Sequence, residues 1–181
     1  MNITIQDAIP EDVVENSEVF YRCWLDTYPN KEYGISKEDI EDFFKNGRTP
    51  EAIERKKKQI KNLPSNEKFI NAKDGEKIIG VCRLIKNNDD GELKAIYVLS
   101  EYRGKGIGKM FWNEALKFFD KDKNIIVKVA VYNKKAIEFY RKLSFFDTGE
   151  VSIDEKFRMK NGAIIPETKM IIKVNNNFIN L

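Results

Sequence analysis

From Arg103 to Gly108 the chain reads R-G-K-G-I-G, set between an apolar, strand-like run that ends at Val98 and a helix-like run that starts near Lys109. Closely spaced glycines let the backbone turn tightly and bring bare N–H groups against a ligand, and the helix that follows offers its positive end to an anion. A phosphate is the natural guest of such a loop. Spacing excludes two familiar glycine loops. A G-x-x-x-x-G-K-[ST] loop needs glycine at 103 and a hydroxyl at 110, where the chain has Arg103 and Met110, and G-x-G-x-x-G fails because Gly104, Gly106 and Gly108 are spaced two and two.

A second element lies downstream. Ile125 to Val131 is apolar and β-branched and runs into N-K-K-A-I-E-F-Y-R-K-L-S-F-F, which reads as strand, helix, strand. Asn133 caps such a helix, and two turns on, Tyr140 returns to nearly the same face, so Asn133, Ala136, Ile137 and Tyr140 form one stripe. Taken alone, Asn133 reads as readily as a plain cap, and Tyr140 as a core aromatic.

Both elements, in this order and joined by a helix, resemble the acyl-CoA site of the GNAT N-acetyltransferase superfamily. The resemblance is close over residues 67 to 149 and extends to the N-terminal 60 residues only in general plan. It implies an α+β fold with a mixed, mostly antiparallel central sheet flanked by helices. It also implies transfer of an acetyl group from acetyl-CoA, as co-substrate and without a metal, to a primary amine. Implied cofactor contacts are the backbone edge of Ile96, Tyr97 and Val98, the loop Arg103, Gly104, Lys105, Gly106, Ile107, Gly108 and Lys109, and Asn133. Tyr140 matches the position that protonates the leaving thiolate. Glu92 matches an acidic position of some members and is the candidate base, acting through water; it reads equally as a strand-end surface carboxylate. Another acidic position of the family is Lys128 here. Ser144 stands where the family usually has glycine before the next strand; a left-handed serine there costs on the order of 1 kcal/mol.

The chain contains no histidine, which removes Ser-His-Asp triads, Cys-His pairs and histidine metal clusters together. A general acid or base must be Glu, Asp, Tyr, Lys or Cys. Cys23 and Cys82 occupy unlike contexts and read as buried thiols rather than a disulfide or zinc site. A net charge of +3, from 32 basic and 29 acidic residues, gives no ground for a nucleic-acid partner. The basic run Arg55 to Lys58 reads as a solvated helix face, with salt-sensitive nucleic-acid binding as its alternative. With 181 residues, 41% of them hydrophobic, a single domain over 1–181 is expected. No apolar run is long enough to span a bilayer and no leader is evident at Met1 to Pro10, so no membrane partner and a cytoplasmic location are expected.

The coarse order is a strand at Asn2 to Ala8, then a helix from Glu11 to Tyr28 with Val14, Val19, Phe20 and Trp24 inward. A helical insertion spans about 36–63, opened by Ser36 with Asp39 and again by Thr49-Pro50. A hairpin turns at Asp74-Gly75, a central strand spans Glu92 to Val98, and a helix packs Ile107, Met110, Phe111, Leu116 and Phe119 inward. Strands near 145–151 and 168–174 close the sheet and leave a homodimer open; Asn175 to Asn177 reads as a frayed tail. Trp24, Tyr28 and Tyr33 are candidates for the acceptor cleft. Glu32, Glu38, Asp39, Glu41 and Asp42 concentrate charge that suits a polyamine or other small cationic amine. A protein lysine or N-terminus as acceptor, and a non-catalytic acyl-CoA sensor, are the alternatives.

Overall fold

A computed structural model describes residues 2–173, so the expected tail at Asn175 to Asn177 lies outside the described residues. Strands are β1 (Ile3–Asp7), β2 (Glu67–Asp74), β3 (Lys77–Lys86), β4 (Asp90–Val98), β5 (Asn124–Ala130), β6 (Phe146–Ile153) and β7 (Pro166–Ile172). Helices are α1 (Val13–Thr27), α2 (Lys37–Lys45), α3 (Pro50–Lys61), α4 (Ile107–Phe118) and α5 (Lys134–Lys142). The seven strands form one sheet in the order β1-β2-β3-β4-β5-β7-β6. Every neighbouring pair is antiparallel except β4 and β5, which are joined by the crossover helix α4.

Local chemistry sets the helix starts. Ser36 accepts from the Asp39 N–H while Asp39 accepts from the Ser36 N–H, a reciprocal cap on α2. Thr49 caps α3 ahead of Pro50, whose missing N–H costs nothing in the first turn. The α1 helix begins after a tight turn at Pro10–Asp12, and its inward stripe starts at Val13, 2% exposed, rather than at Val14, 57% exposed. Steps of three and four from Val13 reach Asn16, Ser17, Val19, Cys23 and Trp24, all buried, which leaves Val14 on the outer face. Two buried polar residues in that stripe disguise it in the sequence.

The core divides at the sheet. On one face α4 buries Ile107, Phe111, Trp112, Ala115 and the following Phe119; Met110 and Leu116 are only partly buried. The helices α1, α2 and α3 occupy the other face, in two further apolar clusters. The pairing of β4 with β5 runs only from Asp90–Asn124 to Glu92–Ile126. Beyond it no ladder joins them, and a bulge places Lys94 as an extra residue of β4, between the pairs Arg83–Ala95 and Leu84–Leu93. The sheet therefore opens into a cleft at its centre.

Candidate active site

The cleft has a volume of about 470 Å³ and runs between the free edges of β4 and β5. Leu99 donates its N–H to Ile79 O at 3.0 Å. Antiparallel alternation from that pair turns the Tyr97 amide toward Val81 on β3 and leaves the amides of Ile96 and Val98 facing the gap. The side chains divide as well: Ile96 and Val98 pack toward α4, and Tyr97 toward α1 and α2.

At the end of β4 the chain enters the glycine loop. Gly104 and Gly106 have φ of 80° and 82°, a left-handed backbone that L side chains rarely adopt, although a Cβ at either would meet open space. Gly106 is the N-cap of α4, so its own N–H and those of Ile107, Gly108 and Lys109 have no partner within the helix and face an incoming anion together. Gly108 is needed for a different reason: a Cβ there would lie 2.8 Å from the Phe139 ring, so its absence lets α4 approach α5. The Arg103 side chain turns back, giving Nε–H to Val98 O at 2.9 Å and pairing with Asp26 at 3.4 Å, and so ties the loop to β4 and α1. Lys105 rests over the Tyr102 ring, 4.8 Å from its centre.

Tyr140 and Asn133 reach the cleft from the far side. Asn133 Oδ1 accepts from the Ala136 N–H at 3.1 Å, capping α5. The end of α5 is fixed more firmly. Ser144 has φ 70°, the one positive value at a non-glycine residue among the described residues. It donates its N–H to Arg141 O, and the Phe145 N–H reaches back to Tyr140 O, both at 3.0 Å. This is a Schellman motif, and the apolar contact that accompanies it is the Phe145 ring edge-on to Tyr140, centroids 5.5 Å apart. Tyr140 is thus held by its carbonyl and its ring while its hydroxyl has no hydrogen-bond partner among the described residues. Burial raises the Tyr140 phenol well above the usual range, helped by the neighbouring Cys82 and Tyr28, so it remains a protonated donor.

The other wall is aromatic. Trp24 stacks on Phe43 at 5.2 Å with the rings 8° from parallel, and meets Tyr28, Phe44 and Phe157 at an angle. The Tyr28 and Tyr97 hydroxyls share a hydrogen bond of 2.7 Å, and the Tyr132 hydroxyl donates to Tyr28 O at 3.0 Å. Burial pushes the Tyr28 phenol up to about 12 against the lowering effect of that bond, and raises Tyr97 further. Tyr33 lies over Tyr132 rather than on the cleft, centroids 5.0 Å apart. Cys23, pushed up to about 11, and Cys82, higher still, are buried thiols held protonated by desolvation. Asp39 is committed to its cap and to Asn161. Lys56, in the basic run, is tucked against Gly47 O at 2.7 Å and Ser17 Oγ at 3.0 Å.

Two carboxylates of different standing line the cleft. Glu92 sits where β4 and β5 part, 13% exposed, with Oε1 accepting from Lys94 at 3.0 Å. Glu167, on β7 opposite Ala130, is half-buried and has no side-chain hydrogen bond or ion pair among the described residues. Burial raises its carboxyl, outweighing the lowering pull of Lys128 and Lys94. Glu167, Phe43, Phe44 and Phe157 are cleft residues that motif reasoning missed. The Phe43-Phe44 pair in α2 is the only trace they leave in the sequence.

The model of the Acetyltransferase (GNAT) family matches residues 19–145. The chain belongs to the GNAT family. Its solved neighbours carry the same fold. The PaiA N-acetyltransferase of Thermoplasma acidophilum, in complex with coenzyme A, aligns with a TM-score of 0.67 at 24% identity over 93% of this chain and 99% of that one. A phosphinothricin acetyltransferase of Sinorhizobium meliloti, in complex with acetyl-CoA, aligns at 0.66 and 19% identity over 98% of this chain and 91% of that one. Among sequences, an uncharacterized N-acetyltransferase of Methanocaldococcus jannaschii is 40% identical over 63 residues, 34% of this chain and 28% of that relative's length. The matched family segment contains the splayed strands, the glycine loop, Asn133 and Tyr140. No helix among the described residues is long and apolar enough to cross a membrane.

Proposed function

We propose that this protein transfers the acetyl group of acetyl-CoA to a small cationic primary amine. The single observation that carries the reading is the conjunction, in one cleft, of free β4 amides, an anion-facing glycine loop at the start of α4 and a buried tyrosine whose hydroxyl has no partner among the described residues. The residues fit the co-substrate. Gly106 to Lys109 offer consecutive N–H groups to the pyrophosphate, with the charge of Lys105 nearby, and Ile96 and Val98 offer an unpaired strand edge to the amide-bearing pantetheine arm. When bound, acetyl-CoA supplies the activated acyl group. The same strand-edge N–H groups are placed to polarise its carbonyl, a contribution that is often the largest in acyl transfer. Tyr140, held protonated by burial, donates a hydrogen bond to the departing thiolate rather than surrendering its proton outright.

A small acceptor is favoured over a protein lysine or N-terminus by the enclosure of the far wall. Trp24, Tyr28, Phe43, Phe44 and Phe157 bring ring faces and edges together around a cavity whose size suits a small molecule. Aromatic faces also attract an ammonium group. The test is release of free thiol from acetyl-CoA across polyamines, amino acids, aminoglycosides and lysine peptides, with Tyr140→Phe as control. A Tyr140-dependent signal with a small amine supports the reading. A signal confined to lysine peptides moves the acceptor to proteins. Tight acetyl-CoA binding without thiol release for any amine leaves a sensor domain.

A further inference from the structure

We propose that Glu167 is the catalytic base that takes the proton from the ammonium group of the acceptor; the assignment rests on the transferase reading above. The amine of a cationic acceptor is protonated near neutrality, with a pKa of about 10 for an alkylammonium, and must lose a proton before it can attack. Glu92 lines the cleft as well but is ion-paired to Lys94 at 3.0 Å, whereas Glu167 has no ion-pair partner among the described residues. Glu167 lines the same cleft as Tyr140, Asn133 and the aromatic wall. It pairs across the sheet with Ala130, which belongs to the apolar cluster of Trp24 and Tyr28, so its side chain leaves the sheet on the acceptor side.

The phenols of Tyr28, Tyr97 and Tyr132 face Glu167 and are themselves held protonated by burial. Lys128 on β5, Lys94 on β4, and Asp154 and Lys156 on the connection from β6 to β7 all act on Glu167, yet none lies within ion-pair distance. Lys94 is held by Glu92 and Lys156 by Asp154. Desolvation prevails over the lysines, so the carboxyl binds a proton more readily than a free glutamate does. That is the property a base for an ammonium group requires.

The step balances as follows. An N–H bond of the ammonium breaks and its proton passes to the Glu167 carboxylate, directly or through one water. The freed lone pair forms the C–N bond at the thioester carbon, and the C–S bond breaks with its electron pair on sulfur. The nitrogen's second proton ends on the thiolate, to which Tyr140 donates a hydrogen bond. Glu167 then releases its proton to solvent through the mouth of the cleft, one proton per turnover.

The experiment compares wild type, Glu167→Gln and Glu167→Asp for kcat/KM against pH. Spermidine, tyramine and a blocked lysine amide serve as acceptors, and acetyl-CoA affinity reports on folding. Glu167→Gln is expected to lose about 10²-fold near neutral pH. The deficit should shrink toward pH 10, where the free amine becomes abundant without a base. Glu167→Asp should recover part of the loss, and acetyl-CoA affinity should stay within about threefold in both variants, a change under 1 kcal/mol. A wild-type pH profile in Glu167→Gln, or a deficit uniform across pH, overturns the proposal while leaving the transferase intact. Wild-type protein that binds acetyl-CoA but turns over no amine overturns the transferase reading, and the base with it.

Discussion

Ser144→Gly should stabilise the protein. Ser144 holds φ 70° as the left-handed residue of the motif that ends α5, and it is exposed, so its side chain contributes no burial. Left-handed backbone costs an L residue roughly 1–2 kcal/mol, which glycine escapes. Glycine in turn has the more flexible unfolded chain, a cost of about 0.4–1 kcal/mol. The bonds from the Ser144 N–H to Arg141 O and from the Phe145 N–H to Tyr140 O are made by the backbone and survive the change. The difference is a gain of roughly 0.5–1 kcal/mol, or about 1–4 °C in Tm for a chain of this size. The assay is thermal unfolding by circular dichroism, with Ser144→Ala as the control that keeps the strain and should show no gain. An unchanged or lowered Tm in Ser144→Gly would refute the argument, because it would mean that residue 144 does not hold this conformation in solution.

Tyr140→Phe should lower kcat by about 10²-fold and leave the Kd for acetyl-CoA within a few-fold, since the hydroxyl is the only atom removed and the ring contact with Phe145 remains; steady-state thiol release with calorimetric binding checks both. Gly108→Ala should destabilise by about 1–2 kcal/mol, because a Cβ 2.8 Å from Phe139 costs more than helix propensity returns; a higher Tm in the variant would show that α4 and α5 are not closely packed there. For Glu167 the native carboxyl lies above its unfolded value. Its cost to stability is therefore absent at low pH, grows as pH rises through the unfolded pKa, and is complete above the native one. Glu167→Gln should accordingly raise Tm at pH of about 8 and change it little near pH 4, and an equal shift at both would disprove the sign.

The parts of this site legible in the sequence are those whose chemistry is local. A glycine run between strand and helix, a cap at Asn133 and a tyrosine two turns later each depend on spacing along one element, and spacing can be read directly. Ser144 is marked in the sequence only by standing where the resembling family usually has glycine, and the structure gives it the left-handed φ of 70°. Glu167 has no such signature. It is one carboxylate after Pro166, and only the pairing of β7 with β5 brings it beside Ala130 and into the cleft. Tyr33 is close to Tyr28 in sequence and packs on the same apolar cluster, but its ring lies over Tyr132 beside the Asn30–Ile35 bridge, a placement that spacing alone does not give. Val14 was misplaced because Asn16 and Ser17, both buried, interrupt the apolar period of α1.

The splay between β4 and β5 links these separate features. If the two strands paired along their whole length, the Ile96 and Val98 amides would be consumed by the sheet, and Tyr140 would face a closed core with an unpartnered hydroxyl, at a cost of about 1–3 kcal/mol. Parting after Glu92 removes both conflicts: the strand edge is free for a ligand, and the tyrosine opens onto a cleft. The cost shifts to the exposed backbone edge, which a bound amide chain relieves. Occupancy by the co-substrate should therefore protect the Ile96 and Val98 amides from hydrogen exchange while leaving Tyr97, already facing β3, unchanged. Equal protection of all three would show that β4 and β5 close on each other instead of accepting a ligand between them.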